Sequence, residues 1–333
     1  MRLSWSLVAL VLIVACEAPG GPPSGKPADD DLTFTPAGGG HVTWTLGGKV
    51  FRIAAADGAA IEDVSAALAG PLPGDDRWLA PSTDGAFFAL ASERFSNNGE
   101  VLVRANAALD DAEIVLAGGA EVFLEGIPAI NLAGDMIIYG SQGGPHDIDL
   151  FRTDRSGDGS WSAPQLLTGD STFVDNNSPA LTFNQENVLF DCGGDRAPES
   201  GATSSCEVGV DGTGFVVVVA PDALPNPRNT FTQFPHASTR GVVFQGSWPI
   251  NGDSPETIWR LDAAGDPAPA LPTLNNVVSP CGLPDGRMAV LFLDREGNPD
   301  GVHELTLIDV DDTTVTTLVP LQDVDDIGIG CSD

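Results

Sequence analysis

The chain has 333 residues and carries 47 acidic against 15 basic side chains, which gives a formal net charge of −32 at pH 7. This excess of carboxylates argues against binding to nucleic acids, whose phosphates require Lys and Arg contacts, and equally against anionic membrane surfaces. It is compatible with metal cations, with basic partners, or simply with solubility.

The first sixteen residues have the pattern of an export signal. Arg2 supplies a positive start, and residues 7–14 form an unbroken apolar run. That run is shorter than the roughly 20 residues that span a bilayer and has the length of a signal-peptide core. It leads into the tetrapeptide IVAC at residues 13–16, which resembles a bacterial lipobox. We therefore expect a signal peptide over 1–15 and a lipid on Cys16; the alternative is an ordinary signal peptide with an incidental cysteine.

The residues after the cysteine predict a location and a tether. Glu17 stands where an aspartate would indicate retention at the inner membrane. The lipoprotein resemblance therefore implies the cell envelope, and the outer membrane if the host is Gram-negative, with periplasmic or surface exposure left open. Residues 17–40 are rich in Pro, Gly and Asp, a composition that buries too little surface to offset the entropy of ordering. We expect a lipidated flexible tether over 16–40 and one folded domain over 41–333, attached to the membrane only through the lipid.

A phrase made of a proline, a few residues, a polar turn and a short apolar strand recurs along the folded part. Copies begin at Pro81, Pro128, Pro179, Pro235 and Pro280, at intervals of 45 to 56 residues. Each copy is followed by further β-rich runs, and four strands per unit of about 45 to 50 residues are typical of propeller blades.

A sixth copy is divided between the two ends of the chain. Residues 326–333 contain the opening phrase without its following strand, and residues 41–55 contain strands without an opening phrase. If the two segments join, they complete a blade, close the ring and remove a free sheet edge.

The repeated phrases resemble those of TolB-like propellers, which are related in architecture to WD40 proteins. The passage over 159–183 carries the resemblance most fully, with an outer strand, a polar loop and a Pro-led inner strand. The resemblance covers about residues 41–333 and implies an all-β fold, a six-bladed β-propeller of four-stranded antiparallel blades whose last blade is closed by both termini. Regularly spaced short strands also suit a β-sandwich, which the divided sixth copy disfavours.

Four cysteines remain once the lipidated one is set aside, and an even number in an exported chain indicates two disulfides. In the propeller that the resemblance implies, Cys192 ends the second strand of a blade and Cys206 starts the third, so they face each other across residues 193–205. Cys281 and Cys331 fall on the inner strands of neighbouring blades, where a bond would latch the ring. We favour these two pairs. Free buried thiols are the alternative, and the CxxC spacing of a zinc site is missing.

The strands of a blade are named A to D from the axis outwards, and this order places the B–C loops and the D–A crossovers together on one face, here called the loop face. The B–C loops are the long ones in this chain. Because function tends to lie in loops on a rigid scaffold, we predict a binding site on the loop face. Its candidate residues are Asp76, Arg94, His146, Asp175, Asn176, His236, Trp248, Asn276 and Asp326.

The Asp and Asn members of this set raise the question of a bound calcium ion. Oxygen ligands that converge from several blades would suit a hard cation. The competing interpretation is that these side chains are turn residues bonded to their own backbone, and it is the one we favour. We therefore predict no cofactor and leave a Ca²⁺ site open.

No catalytic motif of the GxSxG, HExxH, P-loop or GxGxxG type is present in the sequence. We predict no catalytic residue and a binding module for a protein or an envelope polymer, acting as a monomer. The alternative is a propeller enzyme, a carbohydrate lyase or hydrolase with its site at the channel mouth. The four histidines of the chain offer that alternative little support.

Overall fold

The computed structural model describes residues 39–194, 203–224, 231–238, 241–247, 256–262, 265–271, 277–294, 302–309, 314–323 and 329–333. These residues form six four-stranded antiparallel sheets and one two-stranded hairpin. Helix is confined, within these ranges, to the single 3-10 turns Ser65–Ala67, Glu93–Phe95 and Pro221–Ala223. None of these helices has the length or hydropathy to cross a membrane. The signal peptide, Cys16 and nearly all of the tether lie outside the described residues.

The strands run in chain order around the ring. They are β1 (His41–Leu46), β2 (Lys49–Ala54), β3 (Glu62–Asp63), β4 (Asp76–Pro81), β5 (Phe87–Ser92), β6 (Val101–Asn106), β7 (Ala112–Ile114), β8 (Leu116–Ala117), β9 (Ala120–Glu121), β10 (Ala129–Ile130), β11 (Met136–Ser141), β12 (Asp149–Asp154), β13 (Gln165–Leu166), β14 (Asp175–Leu181), β15 (Asn187–Gly193), β16 (Ser204–Gly209), β17 (Val216–Val219), β18 (Thr232–Ser238), β19 (Gly241–Ser247), β20 (Glu256–Leu261), β21 (Pro267–Pro269), β22 (Val277–Gly282), β23 (Met288–Asp294), β24 (Val302–Ile308), β25 (Val315–Asp323) and β26 (Ile329–Ser332).

The six sheets are the blades of a propeller. Blade 1 has the strand order β26-β1-β2-β3, blade 2 β4 to β7, blade 3 β10 to β13, blade 4 β14 to β17, blade 5 β18 to β21 and blade 6 β22 to β25. The all-β, six-bladed fold with four-stranded antiparallel blades is therefore confirmed, and the β-sandwich alternative is wrong.

The hydrophobic core lies between neighbouring blades, because each sheet is covered on both faces. On β15, Val188 and Phe190 pack towards blade 3, while Leu189 packs towards blade 5. Both faces of a central strand are thus apolar, and such strands read as continuous hydrophobic runs. Full burial of a side chain such as Phe190 contributes about 2 to 3 kcal/mol. The blades are therefore stabilised by packing against their neighbours.

Both termini complete blade 1. β26 pairs antiparallel with β1, with Val42 opposite Cys331 and Trp44 opposite Ile329. The predicted closure of the last blade is confirmed. Cys331 on β26 is bonded to Cys281 on β22, with the Cα atoms 5.7 Å apart, so the predicted latch between blades 6 and 1 is also present.

The second disulfide joins β15 and β16 within blade 4. Cys192 is bonded to Cys206 with the Cα atoms 5.9 Å apart, as predicted. The register differs from the expectation, however, because Cys192 lies opposite Ser204 and Cys206 lies opposite Phe190. The bond therefore links diagonal positions on one face of the sheet, which lie within reach of each other across an antiparallel pair.

The inner strands of blades 2, 4, 5 and 6 share a β-bulge. At each, the register shifts around one non-glycine residue with a left-handed backbone: Trp78 (φ 49°), Ser178 (φ 52°), Phe234 (φ 51°) and Ser279 (φ 50°). In the last three blades a proline follows, which is tolerated because a bulge on an edge strand leaves its missing N–H unneeded. In blade 2 that position holds Leu79, so the predicted start of this copy at Pro81 lies two residues too far along the chain.

The hairpin of β8 and β9 is an addition to the repeat that was not predicted. It lies in the crossover from blade 2 to blade 3 and turns through Gly118 and Gly119, both with positive φ. Backbone hydrogen bonds hold it from both sides: Leu102 N–H donates to the Val122 carbonyl at 2.9 Å, and Gly118 N–H donates to the Ser162 carbonyl at 2.8 Å. The hairpin is thus fixed between blades 2 and 3.

Candidate functional site

The central channel is lined by the inner strands of all six blades and holds a cavity of about 80 Å³. Alanine, proline, isoleucine and leucine make up most of its wall. The polar side chains among its described lining residues are Thr83, Ser178 and His236. A cavity of this size accepts a few water molecules and is too small for a sugar chain or a folded segment.

His236 is the titratable group of this wall. It lies deep in the propeller with part of its surface open to the channel. Burial lowers the pKa of the imidazole to about 4, so the ring is neutral at physiological pH. Among the described residues it has no hydrogen-bonded carboxylate, which a histidine base generally uses for orientation. As placed, His236 lines the channel and does not form a catalytic pair.

Asp76 and Arg94, predicted to face a ligand, bind each other instead. Arg94 Nε lies 3.0 Å from Asp76 Oδ2, and Ser92 Oγ donates to Asp76 Oδ1 at 2.7 Å. Asp76 is fully buried, and burial raises the pKa of its carboxyl against the opposing influence of Ser92 and Arg94. The pair fastens the start of β4 to the B–C loop of blade 2.

His146 likewise links a B–C loop to a strand, here β12 of blade 3. Its Nδ1 lies 2.7 Å from Oδ1 of the buried Asp149, and its backbone N–H donates to Asp149 Oδ2 at 3.0 Å. Thr168 Oγ1 donates to Asp149 Oδ1 at 2.6 Å. One carboxylate thus joins the B–C loop, β12 and the following crossover. The imidazole itself is buried.

Asn176 and Asp175 lie within β14 and not in the crossover before it. The buried Asn176 accepts a hydrogen bond from Ser171 Oγ at 2.7 Å and donates to the Ile148 carbonyl at 3.2 Å. Asp175 is partly exposed beside Asp147, and burial together with that second negative charge raises the pKa of its carboxyl. Of the two acidic members of the predicted set that the structure describes, Asp76 and Asp175, it is Asp175 that remains partly open to solvent.

The remaining predicted residues are Trp248, Asn276 and Asp326, and all three lie outside the described residues. Within the described ranges, no group of three or more His, Cys, Asp and Glu side chains is arranged to hold a metal ion. The structure thus supplies no support for a Ca²⁺ site in the part of the chain that it describes.

Asp191 is a partly buried acid that the sequence did not single out. It lies on β15, accepts a hydrogen bond from the Phe234 N–H at 2.7 Å, and so caps the left-handed residue of the next blade. Burial raises the pKa of its carboxyl to about 8, against the opposing hydrogen bonds from Phe234 and Ser178. Its role is to accept the backbone N–H at the bulge of β18 and so to link blade 4 to blade 5.

The loop face has an open groove between blades 2 and 3, with a volume of about 420 Å³. The β8–β9 hairpin forms one wall, and β11 with the start of its B–C loop forms the other. Phe123, Tyr139 and Phe151 supply aromatic surface, and Glu121 and Gln142 supply polar groups. Sequence reasoning missed these residues. The signal that could have found them is Gly118-Gly119, a two-residue hairpin turn inside a crossover.

The propeller is similar to solved structures of distant sequence. No family model matches the chain, and no curated protein matches it. TolB from Acinetobacter baumannii has a TM-score of 0.60 at 15% identity, over 88% of this chain and 66% of that one, so the present chain spans just under two thirds of its length. A putative TolB from Agrobacterium tumefaciens has a TM-score of 0.57 at 14% identity, over 89% of this chain and 99% of that one.

The similarity also extends to an enzyme. An oligogalacturonate lyase from Vibrio parahaemolyticus has a TM-score of 0.51 at 12% identity, over 82% of this chain and 71% of that one. At such identities the fold is what is shared, and one fold serves many functions. The folded part of this chain is a six-bladed β-propeller whose fold is similar to that of the solved TolB structures, in agreement with the resemblance read from the repeats.

Proposed function

We propose that this chain is a lipid-anchored binding module of the cell envelope that holds a protein or an envelope polymer on its loop face. The observation that carries the binding role is where the open space lies. The groove on the loop face has about 420 Å³ and mixed aromatic and polar walls, as binding sites generally do. The channel has about 80 Å³ and a largely aliphatic wall.

Side-chain hydrogen bonds and ion pairs beneath the loop face support the same role. Asp76 with Arg94, Asp149 with His146, and Asn176 with Ser171 each fasten a loop or crossover to the blades. Loops that are fixed before a partner arrives lose less entropy on binding. A preformed surface of this kind suits a module that binds without chemistry.

Binding of a partner at the loop face is tested by site-specific photo-cross-linking in cells of the source organism. A photoreactive side chain at Asn97, exposed in the B–C loop of blade 2, is expected to give discrete adducts. The matched control is Ala133, which is exposed in the A–B turn of blade 3 on the opposite face. Adducts from Ala133 but not from Asn97 would contradict a loop-face partner, and adducts from neither would contradict the binding role.

The anchor is tested separately. Cys16→Ser is expected to move the protein from the membrane fraction to the soluble fraction, because a lipidated cysteine is the proposed attachment. Unchanged membrane association of Cys16→Ser would contradict the lipid anchor and leave the binding face to be judged by the cross-links.

A further inference from the structure

We propose that the groove between blades 2 and 3 binds a basic peptide segment that presents a large apolar side chain next to Lys or Arg. This inference rests on the proposed binding function and specifies its surface and partner. In it, the apolar side chain lies against Phe123, Tyr139 and Phe151, and the cation lies beside Glu121 and Glu125.

The walls of the groove are fixed by hydrogen bonds and need no rearrangement to accept a ligand. Ser141 Oγ donates to the Phe123 carbonyl at 2.9 Å, and Glu125 N–H donates to the Gly140 carbonyl at 3.0 Å. Gln142 Nε2 donates to Glu125 Oε1 at 2.9 Å. These contacts join the crossover to the start of the blade 3 B–C loop, so the space between them is preformed.

The aromatic surface of the groove includes one exposed ring, that of Phe123. Phe123 is 46% exposed, although its neighbours Val122 and Leu124 are buried in the core between blades 2 and 3. The rings of Tyr139 and Phe151 stack with centroids 6.0 Å apart. A volume of about 420 Å³ lies at the lower end of the range for small-ligand sites and suits one or two large side chains.

The hydroxyl of Tyr139 points to a ligand independently of the apolar surface. Tyr139 is 2% exposed and lines the groove, yet its hydroxyl forms no hydrogen bond with any residue in the described ranges. The hydroxyl does not belong to the fully enclosed polar atoms without a partner, so it is the accessible tip of an otherwise buried ring. Burial raises the pKa of this hydroxyl, so it remains a neutral donor. A peptide carbonyl in the groove would supply the missing acceptor.

The charge at the rim selects the kind of peptide. Glu121 accepts hydrogen bonds from Ser96 Oγ and Asn98 Nδ2, and Glu125 accepts one from Gln142. Neither carboxylate forms an ion pair with a Lys or Arg of the described residues, and no basic side chain lines the groove. Two uncompensated carboxylates beside aromatic faces favour a cation, through ion pairing and cation–π contact. A purely apolar occupant would leave both unpaired.

The proposal is tested with the full-length protein and a fluorescently labelled hexapeptide, Gly-Leu-Arg-Leu-Arg-Gly, by fluorescence anisotropy. Two control peptides replace both Arg by Glu or both Leu by Ser. We expect saturable binding of the Leu/Arg peptide below about 1 mM, and at least about tenfold weaker binding of either control. Raised salt is expected to weaken the Leu/Arg complex.

Substitutions in the groove test the contributions of its aromatic ring, its carboxylates and its hydroxyl separately. Phe123→Ser is expected to weaken binding about tenfold, as is Glu121→Gln combined with Glu125→Gln, which also flattens the salt dependence. Tyr139→Phe keeps the ring and is expected to weaken binding about fivefold through loss of one hydrogen bond. The matched controls are Ile61→Ser, at a residue that is 48% exposed on blade 1, and Asp57→Asn, at an exposed acidic residue. Both should leave binding unchanged.

Three results would overturn the proposal: no binding of the Leu/Arg peptide at about 1 mM, equal binding of the Glu-containing control, or unchanged binding by Phe123→Ser. Failure here is distinguishable from failure of the loop-face function. If Asn97 still gives cross-links while the groove binds no basic peptide, the face is correct and the groove assignment is wrong.

Discussion

The central channel and the groove between blades 2 and 3 are built in opposite ways. The channel is made by repetition: six inner strands contribute small aliphatic side chains, and the resulting wall encloses about 80 Å³. The groove is made by a departure from repetition, the β8–β9 hairpin, and it has about 420 Å³ with three aromatic rings and two nearby carboxylates. In this propeller the repeat supplies the frame, and the inserted hairpin supplies the chemically distinct surface.

The largest effect on stability is expected from loss of the disulfide latch between blades 6 and 1. Cys281→Ser with Cys331→Ser removes a bond that closes a loop over a sequence separation of 50 residues, which lowers the free energy of unfolding by about 4 kcal/mol. Cys192→Ser with Cys206→Ser, with a separation of 14, is expected to cost about 3 kcal/mol. Urea unfolding under oxidising conditions measures both.

The same variants test whether closure of the ring and peptide binding in the groove are independent. Peptide binding in the groove should be unchanged in the folded double-serine variant of the latch, because the groove lies between blades 2 and 3 and the latch between blades 6 and 1. A latch variant as stable as the parent would contradict the closing role of Cys281 and Cys331.

A smaller effect is expected at the two glycines of the hairpin turn. Both have positive φ, but a Cβ at Gly118 (φ +60°) would lie 3.1 Å from Ala163 Cα, whereas a Cβ at Gly119 (φ +89°) meets nothing within 4 Å. Gly119→Ala should therefore cost about 1 kcal/mol from backbone strain alone, and Gly118→Ala about 2 kcal/mol from strain and crowding.

Thermal unfolding and peptide anisotropy check this pair. Gly118→Ala should also weaken peptide binding, since the hairpin must move away from Ala163, while Gly119→Ala should bind as the parent does. Equal stability and equal binding of the two variants would show that the hairpin does not depend on its contact with blade 3.

The smallest effect is a pH dependence that arises inside the propeller. The pKa of Asp191 rises from its ordinary 3.8 to about 8, so between these values the folded protein holds a proton that the unfolded chain has lost, and stability falls as pH rises. The pKa of His236 falls from 6.5 to about 4, so its contribution to stability rises with pH over that window. Of these two groups, Asp191 is the one whose contribution changes between pH 6.5 and 8.

Asp191→Asn isolates this contribution, because the amide oxygen can still accept the Phe234 N–H. Between pH 6.5 and 8 the parent is expected to lose roughly 3 °C in melting temperature more than the variant. The control is Asp84→Asn, at an acidic residue in the A–B turn of blade 2. Parallel melting curves of parent and Asp191→Asn over this range would contradict the raised pKa.

The fold was predictable from the sequence, whereas most of the site was not. Repeats with a period near 50 residues predict the blades directly, because each blade needs the same turn and strand chemistry. The divided sixth copy predicted the pairing of β26 with β1. Cysteine pairing followed from strand order. The register of Cys192 did not, since a shift of two residues leaves the hydrophobic alternation unchanged.

Three of the candidate ligand residues bond to neighbouring protein groups for a physical reason. Asp76, His146 and Asn176 have side chains that suit a metal or a ligand, but the same chemistry satisfies buried loops, and only packing decides between the two. The groove residues were missed because Phe123 and Tyr139 look like core residues in the sequence. The exposure of Phe123 and the position of Tyr139 at the groove depend on the gap between two blades, which no local pattern encodes.

The pairing of β1 with β26 has a consequence for the order of folding. It joins His41 to Ser332 and Trp44 to Ile329, contacts separated by nearly the whole folded part, and contacts of such long sequence separation form slowly. Blades 2 to 6 can stack as soon as each is complete, but β1 has no inner partner until β26 is available. Until then the chain is an open arc with exposed strand edges, which are prone to pairing with other chains. This open stage is when the chain is most exposed to aggregation and proteolysis.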